Sequence, residues 1–105
     1  MPAPKNDVAI VTFYDKPDYQ GNSDTIYGDY SCDSAGYGFA DLSDVLDGWT
    51  EGGITSYQLH SGCNRSFVYD DYDYSGNMLP RNGNQRALPY NWVDNVYSMR
   101  TWAQS

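Results

Sequence analysis

Two stretches of this sequence align without a gap: Phe13-Tyr14-Asp15-Lys16-Pro17-Asp18-Tyr19-Gln20-Gly21-Asn22 lies over Val68-Tyr69-Asp70-Asp71-Tyr72-Asp73-Tyr74-Ser75-Gly76-Asn77. Tyr, Asp, Asp, Tyr, Gly and Asn are identical in register, six positions of ten, a match that composition alone does not produce. Similarity at a fixed spacing means one supersecondary unit used twice, and such a unit buries its apolar face only against its copy. The 105 residues hold one domain, 1–105, made of two halves at about 7–61 and 62–105, with no room for a second domain.

Each copy opens on a strand, Val8 to Phe13 and Ser66 to Val68, rich in β-branched and aromatic residues. In both, an aromatic residue stands two positions before a glycine. That spacing suits a folded hairpin in which the glycine takes a positive φ and the ring packs across the turn, so any side chain at Gly21 or Gly76 is expected to be harmful. A looser repeat closes each half. Trp49-Thr50-Glu51-Gly52-Gly53-Ile54-Thr55-Ser56 resembles Trp92-Val93-Asp94-Asn95-Val96-Tyr97-Ser98 with one residue gapped, and each leads into a strand, Ile54 to His60 and Val96 to Trp102. Asp41 to Leu46 has room for a single helical turn with Leu42, Val45 and Leu46 on one face, and no long helix is predicted. Two halves of about four short strands each describe an all-β fold, an antiparallel β-sandwich of two Greek-key motifs.

Charge and cysteine content narrow the function classes. Fourteen acidic side chains against six basic ones give a net charge of -8, which repels nucleic acid at long range and attracts cations. No apolar run nears the roughly 20 residues of a bilayer span, so no membrane partner is expected, and the chain is expected to be a soluble monomer. The opening Met1-Pro2-Ala3-Pro4-Lys5-Asn6 is not the apolar core of a signal peptide, although a leader removed earlier is compatible with it. Cys32 and Cys63 allow either one disulfide or two buried thiols. The first implies an extracellular location, the second a cytoplasmic one. Asn64-Arg65-Ser66 matches a glycosylation acceptor, a pattern short enough to arise by chance.

Catalysis finds little support. The chain has no glycine-rich phosphate loop, no G-x-S-x-G elbow and no set of His and Cys with ligand spacing, so a non-enzyme is expected. His60, three residues before Cys63, reads as a strand-end histidine rather than a ligand. Trp49 and Trp92 recur at matching repeat positions and read as core rather than as a sugar platform with Trp102. Asp70-Asp71-Tyr72-Asp73 reads as a solvated hairpin tip.

The spacing aromatic, four residues, aromatic, one residue, glycine, seen in Tyr14-Tyr19-Gly21 and again in Tyr69-Tyr74-Gly76, resembles the signature of the βγ-crystallin superfamily. The resemblance covers nearly the whole chain and is nearest in type to the microbial single-domain members, since only two motifs are present. It implies calcium binding. Many members hold two Ca2+ ions through paired stretches of the pattern Asn/Asp, Asn/Asp, any, any, Ser/Thr, Ser. Each site joins the second acidic position and the next carbonyl of one motif to the Ser/Thr of the other, with a further carbonyl from the hairpin. Gathering oxygens suits calcium, which takes about six to eight of them.

Carried over residue by residue, the second stretch supplies Asp94 and the Asn95 carbonyl, but Val93 replaces the first acidic residue and Tyr97 stands where the hydroxyl belongs. The first supplies Thr55, Ser56 and the Gly53 carbonyl, but Gly52 fills the second acidic position and only Glu51 remains acidic. One calcium site is therefore expected from Thr55, Asp94 and the carbonyls of Asp70 and Asn95. A weaker second site rests on the carbonyls of Asp15 and Gly53, or on a register that puts Ser98 at the ligand hydroxyl. The expected function is a calcium-binding protein with a structural or stress-related role. Relatives that inhibit metalloproteinases or act as killer toxins are secreted and disulfide-bonded, which supplies an alternative, with the turn Pro80 to Gln85 as an exposed loop. A further alternative is an abundant structural crystallin with little metal affinity.

Overall fold

β1 (Val8–Lys16) and β2 (Gln20–Gly28) form the first hairpin, followed by β3 (Tyr37–Phe39), β4 (Ser56–Leu59), β5 (Arg65–Tyr69), β6 (Met78–Asn82) and β7 (Ser98–Trp102). The computed structural model describes residues 8–42, 54–93 and 95–104. The strands make two antiparallel sheets, β2-β1-β4 and β3-β7-β5-β6. The β-rich runs of the sequence are therefore strands, as their composition predicts.

The halves exchange segments. β3 leaves the first half and pairs with β7 of the second, Tyr37 opposite Thr101 and Phe39 opposite Met99. In return, Gln85 bridges β4 of the first half: its N–H donates to the Tyr57 carbonyl at 2.9 Å and its carbonyl accepts the Tyr57 N–H at 3.0 Å. The second sheet thus takes a strand from the first half, and the first sheet takes a bridging residue from the second, which is the physical form of a unit that cannot bury its apolar face alone.

Side chains alternate across the pleat, so one face of each sheet supplies the core. Along β5, Ser66 and Val68 are buried while Arg65, Phe67 and Tyr69 face outward and are half-buried. The core gathers Val11, Phe13, Tyr57, Val68 and Met99 from the strands, with Ile54, Leu42, Leu88 and Val96 from the connections. In β1 the alternation breaks. Ile10, Val11 and Phe13 all enter the core because the register with β2 shifts between Ala9 and Val11, a bulge that turns an extra residue inward, while Thr12 is covered on the other face by Thr25 and His60. Tyr57 spans the core from one sheet to the other, its hydroxyl 2.7 Å from Ser66 Oγ. Burial pushes its phenol up, outweighing the Ser66 hydrogen bond and the Arg81 charge that act downward.

Cys32 and Cys63 form a disulfide with Cα atoms 5.1 Å apart, tying the β2–β3 connection to the β4–β5 turn. This decides between the two readings of the cysteine pair. The glycosylation acceptor is engaged in the fold: Asn64 accepts from Gln104 N at 2.8 Å and donates to Gln104 O at 3.0 Å, and Ser66 is buried in β5. Leu42 is buried, while 43–46 of the expected helical turn lie outside the described residues. Trp92 packs half-buried against the core from a 3-10 turn at Tyr90–Trp92; Trp49 lies outside the described residues. No helix among the described residues is long and apolar enough to cross a membrane.

Candidate functional site

The repeated sequence becomes a repeated backbone. Asp18, Tyr19 and Gly21 have φ of 58°, 59° and 79°, and Asp73, Tyr74 and Gly76 have 56°, 57° and 76°. Four of these residues are not glycine, and each costs about 1–2 kcal/mol in the left-handed region. The same contacts hold the turn in both copies. The Asp15 carboxylate accepts the Asn22 backbone N–H at 2.8 Å and its side-chain amide at 3.1 Å; Asp70 does the same for Asn77 at 2.7 and 2.9 Å. Ser56 Oγ donates to Lys16 O at 2.6 Å and accepts Tyr19 N–H at 3.2 Å, as Ser98 Oγ does with Asp71 O at 2.6 Å and Tyr74 N–H at 3.1 Å. The turn amides then reach across the halves, Asp18 N–H to Arg86 O at 2.7 Å and Asp73 N–H to Ala40 O at 2.9 Å. The carboxylates of Asp15 and Asp70 thus have a structural task that their carbonyl roles in the sequence reading leave out. The signal was present, since Asp and Asn are both among the identical repeat positions.

The oxygens available to a cation are not symmetric. Thr55 donates its hydroxyl to the Asp15 carbonyl, with the two oxygens 3.2 Å apart, and its N–H bonds Tyr14 O at 2.9 Å. The sequence pattern set Thr55 with the Asp70 carbonyl. The structure joins it instead to Asp15, because β4 pairs with β1 and brings the start of β4 against the hairpin of its own half. At the equivalent place in the second half, Tyr97 N–H bonds Tyr69 O at 2.9 Å, and the Tyr97 ring packs on Tyr72 with centroids 5.3 Å apart. Asp70 lies in this second hairpin, beside an aromatic ring rather than a short alcohol.

Each end is met by a residue of the opposite half. Leu88 N–H bonds Thr55 O at 2.9 Å, so the 89–95 loop starts beside Thr55 and Asp15. Leu42 N–H bonds Tyr97 O at 3.0 Å, so the chain after Leu42 starts beside Tyr97 and Asp70. Asn95 is exposed on the 89–95 loop, its side chain donating to Asn91 O at 3.1 Å. The same loop borders a surface hollow of about 390 Å³ lined by Tyr90, Asn91, Val93 and Asn95. Asp94 and Gly53 lie outside the described residues, as do Glu51 and Gly52. Among the described residues no three His, Cys, Asp or Glu side chains are grouped to hold a metal. Oxygens of carbonyls and of Thr55 are what the described part of the site presents.

The two exchanged segments and the paired hairpins decide the fold. The chain has the βγ-crystallin fold. It is similar to a betagamma-crystallin domain from Clostridium beijerinckii, 16% identical with a TM-score of 0.67 over 90% of this chain and 99% of that one. A betagamma-crystallin domain from Flavobacterium johnsoniae is 24% identical with a TM-score of 0.66, covering 91% of this chain and 97% of that one. The N-terminal domain of protein S is 21% identical with a TM-score of 0.66, covering 90% and 97%. No protein-family model matches the sequence, and no curated protein does. The fold is thus shared over about 90% of the chain while most of the sequence is not.

The other candidate positions separate from this end of the βγ-crystallin fold. His60 Nε2 lies 2.8 Å from Thr12 Oγ1, which lies 2.8 Å from Thr25 Oγ1 on the outer face of the first sheet. The turn Pro80 to Gln85 is not a free projecting loop. Pro80, Arg81 and Asn82 belong to β6, Gly83 N–H bonds Asn64 O at 2.7 Å, Asn84 accepts Leu59 N–H at 2.8 Å, and Gln85 bridges β4.

Proposed function

We propose that this βγ-crystallin-fold domain is a calcium-binding protein without enzymatic activity, with a structural or stress-related role, and that its principal ion lies where the two halves cross. The ligands are the Thr55 hydroxyl, the Asp15 carbonyl, the Asp94 carboxylate and the Asn95 carbonyl. One observation carries the reading: Thr55 Oγ1 and Asp15 O are 3.2 Å apart, and two oxygens each about 2.4 Å from one calcium ion and at right angles would be about 3.4 Å apart. The Leu88–Thr55 hydrogen bond supports it, because it starts the loop carrying Asp94 and Asn95 at that pair. The Asp70 carbonyl, with Tyr97 packed on Tyr72 beside it and Gly53 from the other half, belongs to the weaker position.

An ion held by both halves stabilises the folded state by mass action. Melting in calcium and in chelator tests this. The expected result is a higher midpoint in calcium that Asp94→Ala abolishes; equal midpoints in the two buffers would contradict it. The disulfide favours an exported protein, since such bonds persist in oxidising compartments. It does not favour the inhibitor or toxin reading further, because the turn proposed as the inhibitory loop is tied into β6 and β4.

A further inference from the structure

The duplication supplies an internal control for the outer faces of the two sheets. Phe67 and Arg100 face each other across β5 and β7, and their equivalents across β1 and β4 are Thr12 and Gln58. By the same correspondence Trp102 takes the place of His60, and Pro80 opposite Phe67 takes the place of Thr25 opposite Thr12. On the first sheet these positions are polar and bonded to one another: Thr12 with Thr25 and His60, and Tyr14 OH to Gln58 at 3.0 Å. On the second they are apolar or cationic. The Phe67 and Trp102 rings meet at 4.7 Å, and the Arg100 guanidinium lies over the Tyr74 ring at 5.0 Å. The fold does not need these residues, because the first sheet does without them.

Charge is segregated in the same way. The four strands of the second sheet hold three of the chain's six Lys and Arg, namely Arg65, Arg81 and Arg100, and none of its fourteen Asp and Glu. Arg65 and Arg100 stand on the outer face, and Arg65 Nε is buried without a hydrogen-bond acceptor. Arg86 is ion-paired with Asp18, on the other hairpin. A cationic, aromatic face on an acidic protein calls for an anionic ligand with flat apolar surfaces.

Size and posture decide which. Strands about 4.8 Å apart, rising about 3.3 Å per residue, give a face of roughly 15 by 15 Å, well short of the about 800 Å² per partner of a stable protein interface. Phe67, Tyr69, Tyr74 and Trp102 are half-buried and engaged in ring contacts, Phe67 with Trp102 and Tyr69 with Tyr74, where insertion into a lipid surface would require freely exposed rings. Nucleic acid carries a charge about every 1.7 Å of duplex, far denser than two outward arginines can match. A glycan of uronic-acid rings fits: its C–H faces stack on Trp102 and Phe67, and its spaced carboxylates meet Arg100 and Arg65. We propose that the outer face of the second sheet binds an acidic glycan of the polyuronate class. At about 0.15 M salt the Debye length is about 8 Å, so the charge of the remaining surface is screened from the bound polymer.

Titration with short oligogalacturonates in chelator, which removes calcium-bridged association and keeps this site separate from the calcium reading, tests the proposal. Wild-type protein should bind, and Arg100→Gln and Phe67→Thr, which restore the first-sheet residue types, should each weaken binding at least tenfold with little change in melting temperature. Gln58→Ala on the first sheet should leave affinity within twofold. No binding, equal binding of the neutral methyl-esterified oligomers, or full binding by Arg100→Gln would overturn it. Because Arg100 is exposed, that variant decides the matter even if Phe67→Thr fails to fold.

Discussion

Gly76 sits at φ +76° with the Asp70 carboxylate and Asp71 Cβ where its own Cβ would be, whereas Gly83, at φ +65°, has open space there. Both substitutions force a side chain into the left-handed region, at about 1–2 kcal/mol, but only the first also displaces the carboxylate that holds Asn77. Gly76→Ala should therefore lose clearly more stability than Gly83→Ala in denaturant unfolding; equal losses would show that the Asp70 contact carries no weight. Tyr57 links the domain's stability to alkaline pH. Its folded-state pKa lies above the ordinary tyrosine value because burial penalises the phenolate. The stability this contributes is complete below about pH 10, where the unfolded phenol is still protonated, and is lost as pH rises through the folded-state value, because the unfolded chain releases its proton first. Melting temperature should fall as pH rises above about 10, and Tyr57→Phe should fall less steeply, at the expense of about 1 kcal/mol for the lost Ser66 hydrogen bond.

Each hairpin is an element whose turn runs through left-handed residues and is held by a serine from the closing strand of its half. Ser56 and Ser98 are fully buried, and each bonds a carbonyl and an N–H of the turn. Removing either hydroxyl takes the side-chain partner from two part-buried backbone groups, so Ser98→Ala should cost about 1–3 kcal/mol by denaturant unfolding, against a negligible loss for Ser75→Ala on the exposed tip. The disulfide closes a loop of sequence separation 31, worth about 3–4 kcal/mol in the chain-entropy account. Reduction should lower the melting temperature by roughly 10–20 °C on the scale of domains this size; an unchanged midpoint would contradict it. The strands and hairpins were legible in the sequence because β-branched runs and the aromatic-x-glycine spacing are local signals. The exchange of β3 and Gln85 was not, since it depends on which sheet edge a segment reaches. Missing it is also why the pattern joined Thr55 to Asp70: pairing the closing stretches by repeat position does not say which hairpin each one packs against.

At the scale of the whole molecule, duplication followed by divergence accounts for the difference between the two ends and the two sheet faces. The backbone keeps its symmetry to within a few degrees at the turns, while Thr55 against Tyr97 and Phe67 against Thr12 break it in side chains alone. On the proposed reading, Tyr97 standing where Thr55 stands in the first half is the reason for one principal calcium site with a weaker second. Calorimetric titration of the chelator-treated protein with calcium tests this most directly. The account predicts one dominant binding event per chain, lost in Thr55→Ala and Asp94→Ala and retained in Tyr97→Phe. No heat of binding, or an isotherm that Thr55→Ala leaves unchanged, would contradict it.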